Sequence, residues 1–258
     1  MSATTTSDHR GSADTGVRRG YRADLAALGA AQKPARGTPA YSRAVNRPAA
    51  RRVAAATHQV GLTPDLATAI SATLSAAGLA IVALARPTWT TGVLAAVLLA
   101  LGYVMDSVDG QLARLRGRGS LAGEWLDHTV DCVKTCLVHV AVLVSFFRFA
   151  PVSNDVVLLL PLAYLVVDVT CFFGIVLVPH LRPAGRPAPA TRAESPWRRW
   201  LILPNDYGVQ CWMFVLLGSP VAFVSCYALM LLANAGMLAL ACRKWWRELR
   251  AADAAAAR

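Results

Sequence analysis

Beyond residue 60 the chain is dominated by apolar runs, at about 66 to 85, 88 to 106, 126 to 147, 156 to 178, 207 to 219 and 220 to 242. Set against the roughly 20 residues that a helix needs to cross the hydrocarbon of a bilayer, they read as six transmembrane helices. The run at 207 to 219 is the shortest, and Gly218, Ser219 and Pro220 mark a tight turn that makes a hairpin of the last two spans. The expected fold is an all-α, polytopic membrane protein.

With 55% hydrophobic and 16% charged residues and a mean hydropathy of +0.44, a chain of 258 residues is too apolar for an ordinary soluble domain. Its net charge of +11 would suggest nucleic acid in a soluble protein. Here the basic residues fall between the apolar runs, where they set topology and face anionic lipid heads, so the expected partners are membrane lipids and no nucleic acid. Arg43, Arg47, Arg51 and Arg52 precede the first span; Arg114, Arg116 and Arg118 follow the second. Arg182, Arg186, Arg192, Arg198 and Arg199 follow the fourth, and Arg243, Lys244, Arg247 and Arg250 follow the sixth. The alternate turns carry only Arg86, then Arg148 and Asp155, then nothing. By the positive-inside rule both termini, and the turn after the second span, face the cytoplasm of a bacterial-type plasma membrane.

Residues 1–39 are small and polar, with one short apolar stretch from Leu25 to Ala31; they read as a disordered arm without a signal peptide. Residues 40–60 include YSRAVNRPAARRVAAATH, small apolar residues interleaved with arginines, as expected for an amphipathic helix lying in the membrane interface, with a solvated basic arm as the plainer alternative. Pro64 then stops one helix, and Thr63 or Asp65 can cap the next. Residues 61–246 form the membrane domain and 247–258 a C-terminal tail.

Acids gather at the end of the second span. Asp106, Asp109, Gly110 and Ala113 recur at i, i+3, i+4 and i+7 and share one helix face, while Gly123, Asp127 and Asp131 form an i, i+4, i+8 stripe on the next helix. Four carboxylates so close repel one another unless cations compensate them, and an all-oxygen set suits a hard divalent ion such as Mg²⁺ or Mn²⁺ and not zinc.

The string DSVDGQLARLRGRGSLAGEWLDHTVD, residues 106–131, resembles the signature of the CDP-alcohol phosphotransferase family, D-x2-D-G-x2-A-R followed after seven or eight residues by G-x3-D-x3-D. Every fixed position is present. The segment GLTPDLAT is also similar to the lead-in of that family's membrane domain, in particular of actinobacterial phosphatidylinositol-phosphate synthases, although many members carry Asn where this chain has Asp65. The resemblance is carried by residues 41–180, and by the last two spans only through their number and hydropathy.

The resemblance implies transfer of a phosphoalcohol from a CDP-alcohol, CDP-diacylglycerol in the commonest case, to a small alcohol acceptor with release of CMP. It implies a two-metal site of Mg²⁺ or Mn²⁺ on Asp106, Asp109, Asp127 and Asp131, with Asp131 also the base that deprotonates the acceptor. Gly110 and Gly123 would let the nucleotide approach both helices, Ala113 would keep the same face shallow, and Arg114 would pair with a phosphate oxygen. The motif reads the CDP part and the metal, so inositol phosphate, glycerol phosphate and serine stay open as acceptors, a soluble CDP-alcohol stays open as donor, and a homodimer stays open as the assembly.

Other polar residues carry weaker expectations. Asp168, inside the fourth span, either shapes the acceptor site or is a hydrogen-bonded structural acid. Asn205, Asp206 and Tyr207 read as a helix cap, His128 and His139 as packing or hydrogen-bonding residues, and Trp245 with Trp246 as an interfacial anchor. Cys132, Cys136, Cys171, Cys211, Cys226 and Cys242 show no CxxC pattern and read as reduced. A cation transporter with intramembrane carboxylates is the alternative of a different class, but it does not require Gly110, Ala113, Arg114 and Gly123 at fixed offsets from the acids. A catalytically silent scaffold is disfavoured by retention of all four acids.

Overall fold

The computed structural model describes residues 20–31, 38–117, 119–149, 154–182 and 202–256. Its helices are α1 (Tyr21–Ala30), α2 (Arg47–Gln59, led in by a π-helical turn at Ser42–Asn46), α3 (Pro64–Leu84), α4 (Trp89–Leu115) and α5 (Leu121–Phe149). They are followed by α6 (Leu159–Leu181), α7 (Tyr207–Met213, extended by a 3₁₀ turn at Phe214–Gly218) and α8 (Pro220–Ala256). No strand occurs among the described residues. Helix suits a chain in hydrocarbon because every backbone donor and acceptor is satisfied within the segment.

Among the described residues five helices, α3, α4, α5, α6 with the 3₁₀ turn at Asp155–Leu158 that leads into it, and α8, are long and apolar enough to cross a membrane. The expected span at 207 to 219 differs. It is the shorter apolar helix Tyr207–Gly218, well below roughly 20 residues. Two features limit it: Asp206 caps its start, and the Ser219–Pro220 turn ends it. Its 3₁₀ half is pressed against α4, where a Cβ on Gly92 would lie 2.5 Å from the Phe214 carbonyl oxygen.

Small residues let α3 and α4 approach closely, as helices in lipid must do to gain packing energy without a hydrophobic drive between them. A Cβ on Gly102 would meet Ser75 Oγ at 2.5 Å, and one on Gly78 would meet Leu99 at 3.0 Å. The turns beside them fit the sequence. Thr63 Oγ1 accepts the Leu66 amide at 3.2 Å to cap α3, Thr88 and Thr91 form a capping box on α4, and Gly117 supplies the left-handed residue (φ +66°) that ends α4.

The main core joins α4, α5, α7 and α8 through Leu99, Val138, Val142, Phe214, Phe223 and Tyr227. A second, smaller core lies under α1 and α2 and contains Leu28, Ala50, Ala54, Ala55, Val108 and Leu112. Residues 21–30, expected to be disordered, therefore form an ordered helix. Leu28 is buried, and the buried Asp24 carboxylate lies 2.7 Å from His58 Nδ1 and accepts Gln59 Nε2 at 2.6 Å, a tertiary gain that helix propensity alone does not foretell. The rest of the expected arm, 1–19 and 32–37, lies outside the described residues, as do Arg118 and the basic residues Arg186, Arg192, Arg198 and Arg199.

The expected boundary between membrane domain and tail at 246/247 falls inside α8, which runs unbroken to Ala256. Its end is bound to α6: Arg182 Nη2 donates to Glu248 Oε2 at 2.7 Å, and Trp245 packs on Gly174, where a Cβ would lie 2.2 Å from the indole. Trp246 is exposed, as an interfacial anchor would be. Helix α6 otherwise buries little of its surface. Only Pro161, Tyr164 and Val178 of it are buried, while Val166, Phe173 and Ile175 face outward.

Candidate active site

The end of α4 and the start of α5 meet across a short turn, and the two acidic faces close on each other. One carboxylate oxygen each from Asp106, Asp127 and Asp131 lies within 4.8 Å of the others. Asp106 and Asp131 are partly open to solvent, with side chains 18% and 31% exposed. Three carboxylates with only oxygen donors at this spacing fit a hard divalent cation. Asp109 stands beside this set. The Thr68 hydroxyl donates to its Oδ2 at 2.7 Å and the Gly110 amide donates to its Oδ1, and the carboxylate remains within Coulombic range of Asp127.

Lys134, which the sequence reading passed over, enters the cluster. One turn beyond Asp131 on α5, its Nζ donates to Asp131 Oδ1 at 2.7 Å and to Asp106 Oδ1, with Ser71 Oγ at 3.5 Å. Its side chain is 10% exposed. The signal was there: a lysine inside an apolar run is costly unless it finds an opposite charge.

The small residues of the motif border the acids. A Cβ on Gly110 would meet nothing nearer than the Arg114 guanidinium at 3.8 Å, so that face of α4 is open. Gly123 differs: a Cβ there would lie 2.9 Å from Ser120 Oγ, which accepts the Gly123 amide at 2.9 Å and caps α5, and 3.6 Å from Asp65. Ala113 is partly buried on the same face of α4. Arg114 Nε is buried without a hydrogen-bond partner, and Arg47 lies within Coulombic range of the same guanidinium. The Asp109 carboxylate also acts on this guanidinium, and the two cations together favour a further anion nearby. Arg116, by contrast, is structural, donating to the Gly61 and Leu62 carbonyls at 3.2 and 3.0 Å.

On the expectation that a nucleotide lies against this face, replacing Gly110 by Leu should weaken CDP-donor binding at least about tenfold while leaving the helices folded, because the Cβ position is open and the longer side chain would project into the nucleotide's space. Titration of CDP against the correctly folded variant checks this; unchanged affinity would return Gly110 to a packing role. Gly123→Leu should act in the same direction but also disturb the Ser120 cap, so Gly110 gives the cleaner reading.

The segment before α2 docks on α4 and α7. Asn46 Nδ2 donates to Ser107 Oγ at 2.6 Å, the Ser42 amide to Asp206 Oδ2 at 2.8 Å, and Trp212 Nε1 to Tyr41 Oη at 2.9 Å. Asp206 also caps α7, accepting the Gly208 amide at 3.0 Å, as its position suggests. Burial pushes its carboxyl up from the usual range, and the two amide donors oppose this.

Asp168 belongs to a different cluster. His139 Nε2 lies 3.0 Å and Gln210 Nε2 3.3 Å from its Oδ2, and His139 Nδ1 lies 2.6 Å from Tyr227 Oη. Asn234 joins this region by donating to Tyr164 Oη at 2.8 Å and accepting Asn205 Nδ2 at 2.9 Å. These bonds tie α5, α6, α7 and α8 together and make His139 a hydrogen-bonding residue, as its lack of a Cys/His set implies. His128 lies 4.0 Å from Glu124, and the six cysteines are free.

A family model described as CDP-alcohol phosphatidyltransferase matches residues 62–245. The chain belongs to this family. It is accordingly a transferase, an integral membrane enzyme of CDP-alcohol transfer in phospholipid biosynthesis, and the family is metal-dependent. Among solved structures the chain is similar to phosphatidylinositol phosphate synthase PgsA1 of Mycobacterium tuberculosis with CDP-DAG bound, at 23% identity and a TM-score of 0.52, over 78% of this chain and 94% of that one. It is also similar to PgsA1 in complex with manganese and citrate, at 25% identity and a TM-score of 0.52, over 75% of this chain and 87% of that one. No match is found among curated proteins.

Proposed function

We propose that this CDP-alcohol phosphatidyltransferase moves phosphatidyl from CDP-diacylglycerol to a small polar alcohol, releasing CMP. The observation that carries the reading is the set formed by Asp106, Asp127 and Asp131 beside the open face at Gly110 and the unpartnered Nε of Arg114. That arrangement offers places for a divalent cation, a nucleotide and a phosphate side by side. The likeness to a phosphatidylinositol phosphate synthase with CDP-DAG bound supports the donor and makes inositol phosphate the first acceptor to test.

Asp106, Asp127 and Asp131, with Asp109 as the fourth acid, would hold a pair of divalent ions, which supply charge neutralisation at the pyrophosphate when bound. Gly110, Ala113 and Gly123 admit the nucleotide, and Arg114 orients a phosphate oxygen. Asp131 takes the proton of the acceptor hydroxyl as its oxygen bonds to the phosphatidyl phosphorus. The bond from that phosphorus to the bridging oxygen breaks, and its electron pair departs with CMP. The arginine-rich turns support a cytoplasmic site with both termini on the same side.

The test is CMP release by purified protein with Mg²⁺ and CDP-diacylglycerol against a panel of inositol phosphate, glycerol phosphate, serine and inositol. One acceptor should raise CMP release well above the acceptor-free rate and yield a matching lipid. Turnover only with a soluble CDP-alcohol in place of CDP-diacylglycerol would overturn the donor assignment.

A further inference from the structure

The acidic cluster already contains a cation of the protein's own. Lys134 Nζ lies against both Asp106 and Asp131, one carboxylate from each helix, in a side chain only 10% exposed. An ammonium at this depth is tolerated because it is paired, and the carboxylates are tolerated for the same reason. A divalent ion held by Asp106 and Asp131 would draw on the same oxygens, at about 2.1 Å for Mg²⁺. Two cations cannot share those lone pairs at that range without strong repulsion. Lysine is suited to give way: it is a point charge on a flexible four-carbon stem, and Ser71 Oγ, 3.5 Å from Nζ, offers another acceptor on α3.

We infer that Lys134 is the resting countercharge of the site and that a divalent ion binds by exchange, displacing the Lys134 ammonium from Asp106 and Asp131. The inference rests on the metal-dependent reading of the site proposed above. Lys134 is thereby a positioning residue. It holds the carboxylates of α4 and α5 together before the ion arrives, sets the ion concentration the enzyme needs, and keeps Asp131 engaged until the ion has taken its place. Asp131 becomes available to the acceptor hydroxyl only in the loaded site.

Exchange predicts that removing the competitor tightens metal binding. Mn²⁺ titrations followed by the electron paramagnetic resonance of the free ion, on the full chain without nucleotide, should show at least about tenfold higher affinity in Lys134→Met and Lys134→Gln than in the wild type, with Lys134→Arg close to wild type. A second readout needs no variant. Acylation of Lys134 by an amine-reactive reagent, followed by mass spectrometry with the 51%-exposed Lys244 as internal reference, should speed up when Mn²⁺ is added. Equal or weaker Mn²⁺ binding in folded Met and Gln variants would overturn exchange while leaving the metal site intact. If those variants do not fold, labelling of the wild type decides, and a rate unaffected by Mn²⁺ overturns the inference. Absence of Mn²⁺ binding by every form would instead remove the metal-dependent reading, and exchange with it.

Discussion

In excess EDTA, the purified enzyme supplied with CDP-diacylglycerol and its acceptor should release CMP at the rate of a protein-free control, a loss of at least about 10³-fold, and added Mg²⁺ or Mn²⁺ should restore turnover. The pyrophosphate brings further negative charge to a site where three carboxylates already lie within 4.8 Å of one another. The cations the protein offers there, Lys134, Arg114 and Arg47, are too few to balance the four acids and a bound pyrophosphate together. Full turnover under chelation would mean that these cations suffice, and the acids would need another explanation. Because Lys134 pairs two of the acids, the chelated protein should remain folded, so the loss would be one of chemistry and reversible.

The second large effect is expected at Asp131. Asp131→Asn keeps the shape of the side chain and leaves Asp106, Asp109 and Asp127 to hold metal, so CDP-donor binding should survive. Transfer should fall by at least the roughly 10²-fold typical of removing a general base. Single-turnover measurements at saturating donor should place the loss on the chemical step, and extra Mg²⁺ should not restore it. Rescue by raised Mg²⁺ would make Asp131 a ligand alone; near-wild-type transfer would take it out of the proton transfer.

The sequence made the membrane architecture legible because hydrocarbon imposes one rule on backbone polar groups, and long apolar runs obey it visibly. It also made the acidic faces legible, since 3.6 residues per turn converts the spacing of Asp106, Gly110, Asp127 and Asp131 directly into sides of helices. What it concealed were partners distant in the chain. Nothing local announces that Thr68 will donate to Asp109, or that Ser42 will donate to Asp206, because those bonds depend on how α3 and the segment before α2 dock. Helix α1 was concealed for a similar reason. Its apolar stretch is too short to hold a helix alone, and its stability comes from burial of Leu28 and from the Asp24 contacts with His58 and Gln59. Lys134 was concealed differently: its charge was conspicuous, but three residues of helix place it beside Asp131, and only the approach of α4 brings Asp106 to its other side.

Helix α6 buries little of itself against the rest of the chain, and its outer face is apolar, the kind of surface that acyl chains solvate. Lipid tails are fluid and impose no register on what they solvate. The vertical position of α6 is therefore pinned by polar fasteners, among them the Asp168–His139 contact at 3.0 Å and the Tyr164–Asn234 hydrogen bond at 2.8 Å part-way along it and the Arg182–Glu248 pair at 2.7 Å at its end. Between them they convert a helix that lipid would let slide or turn into one with a fixed height and azimuth against α5 and α8.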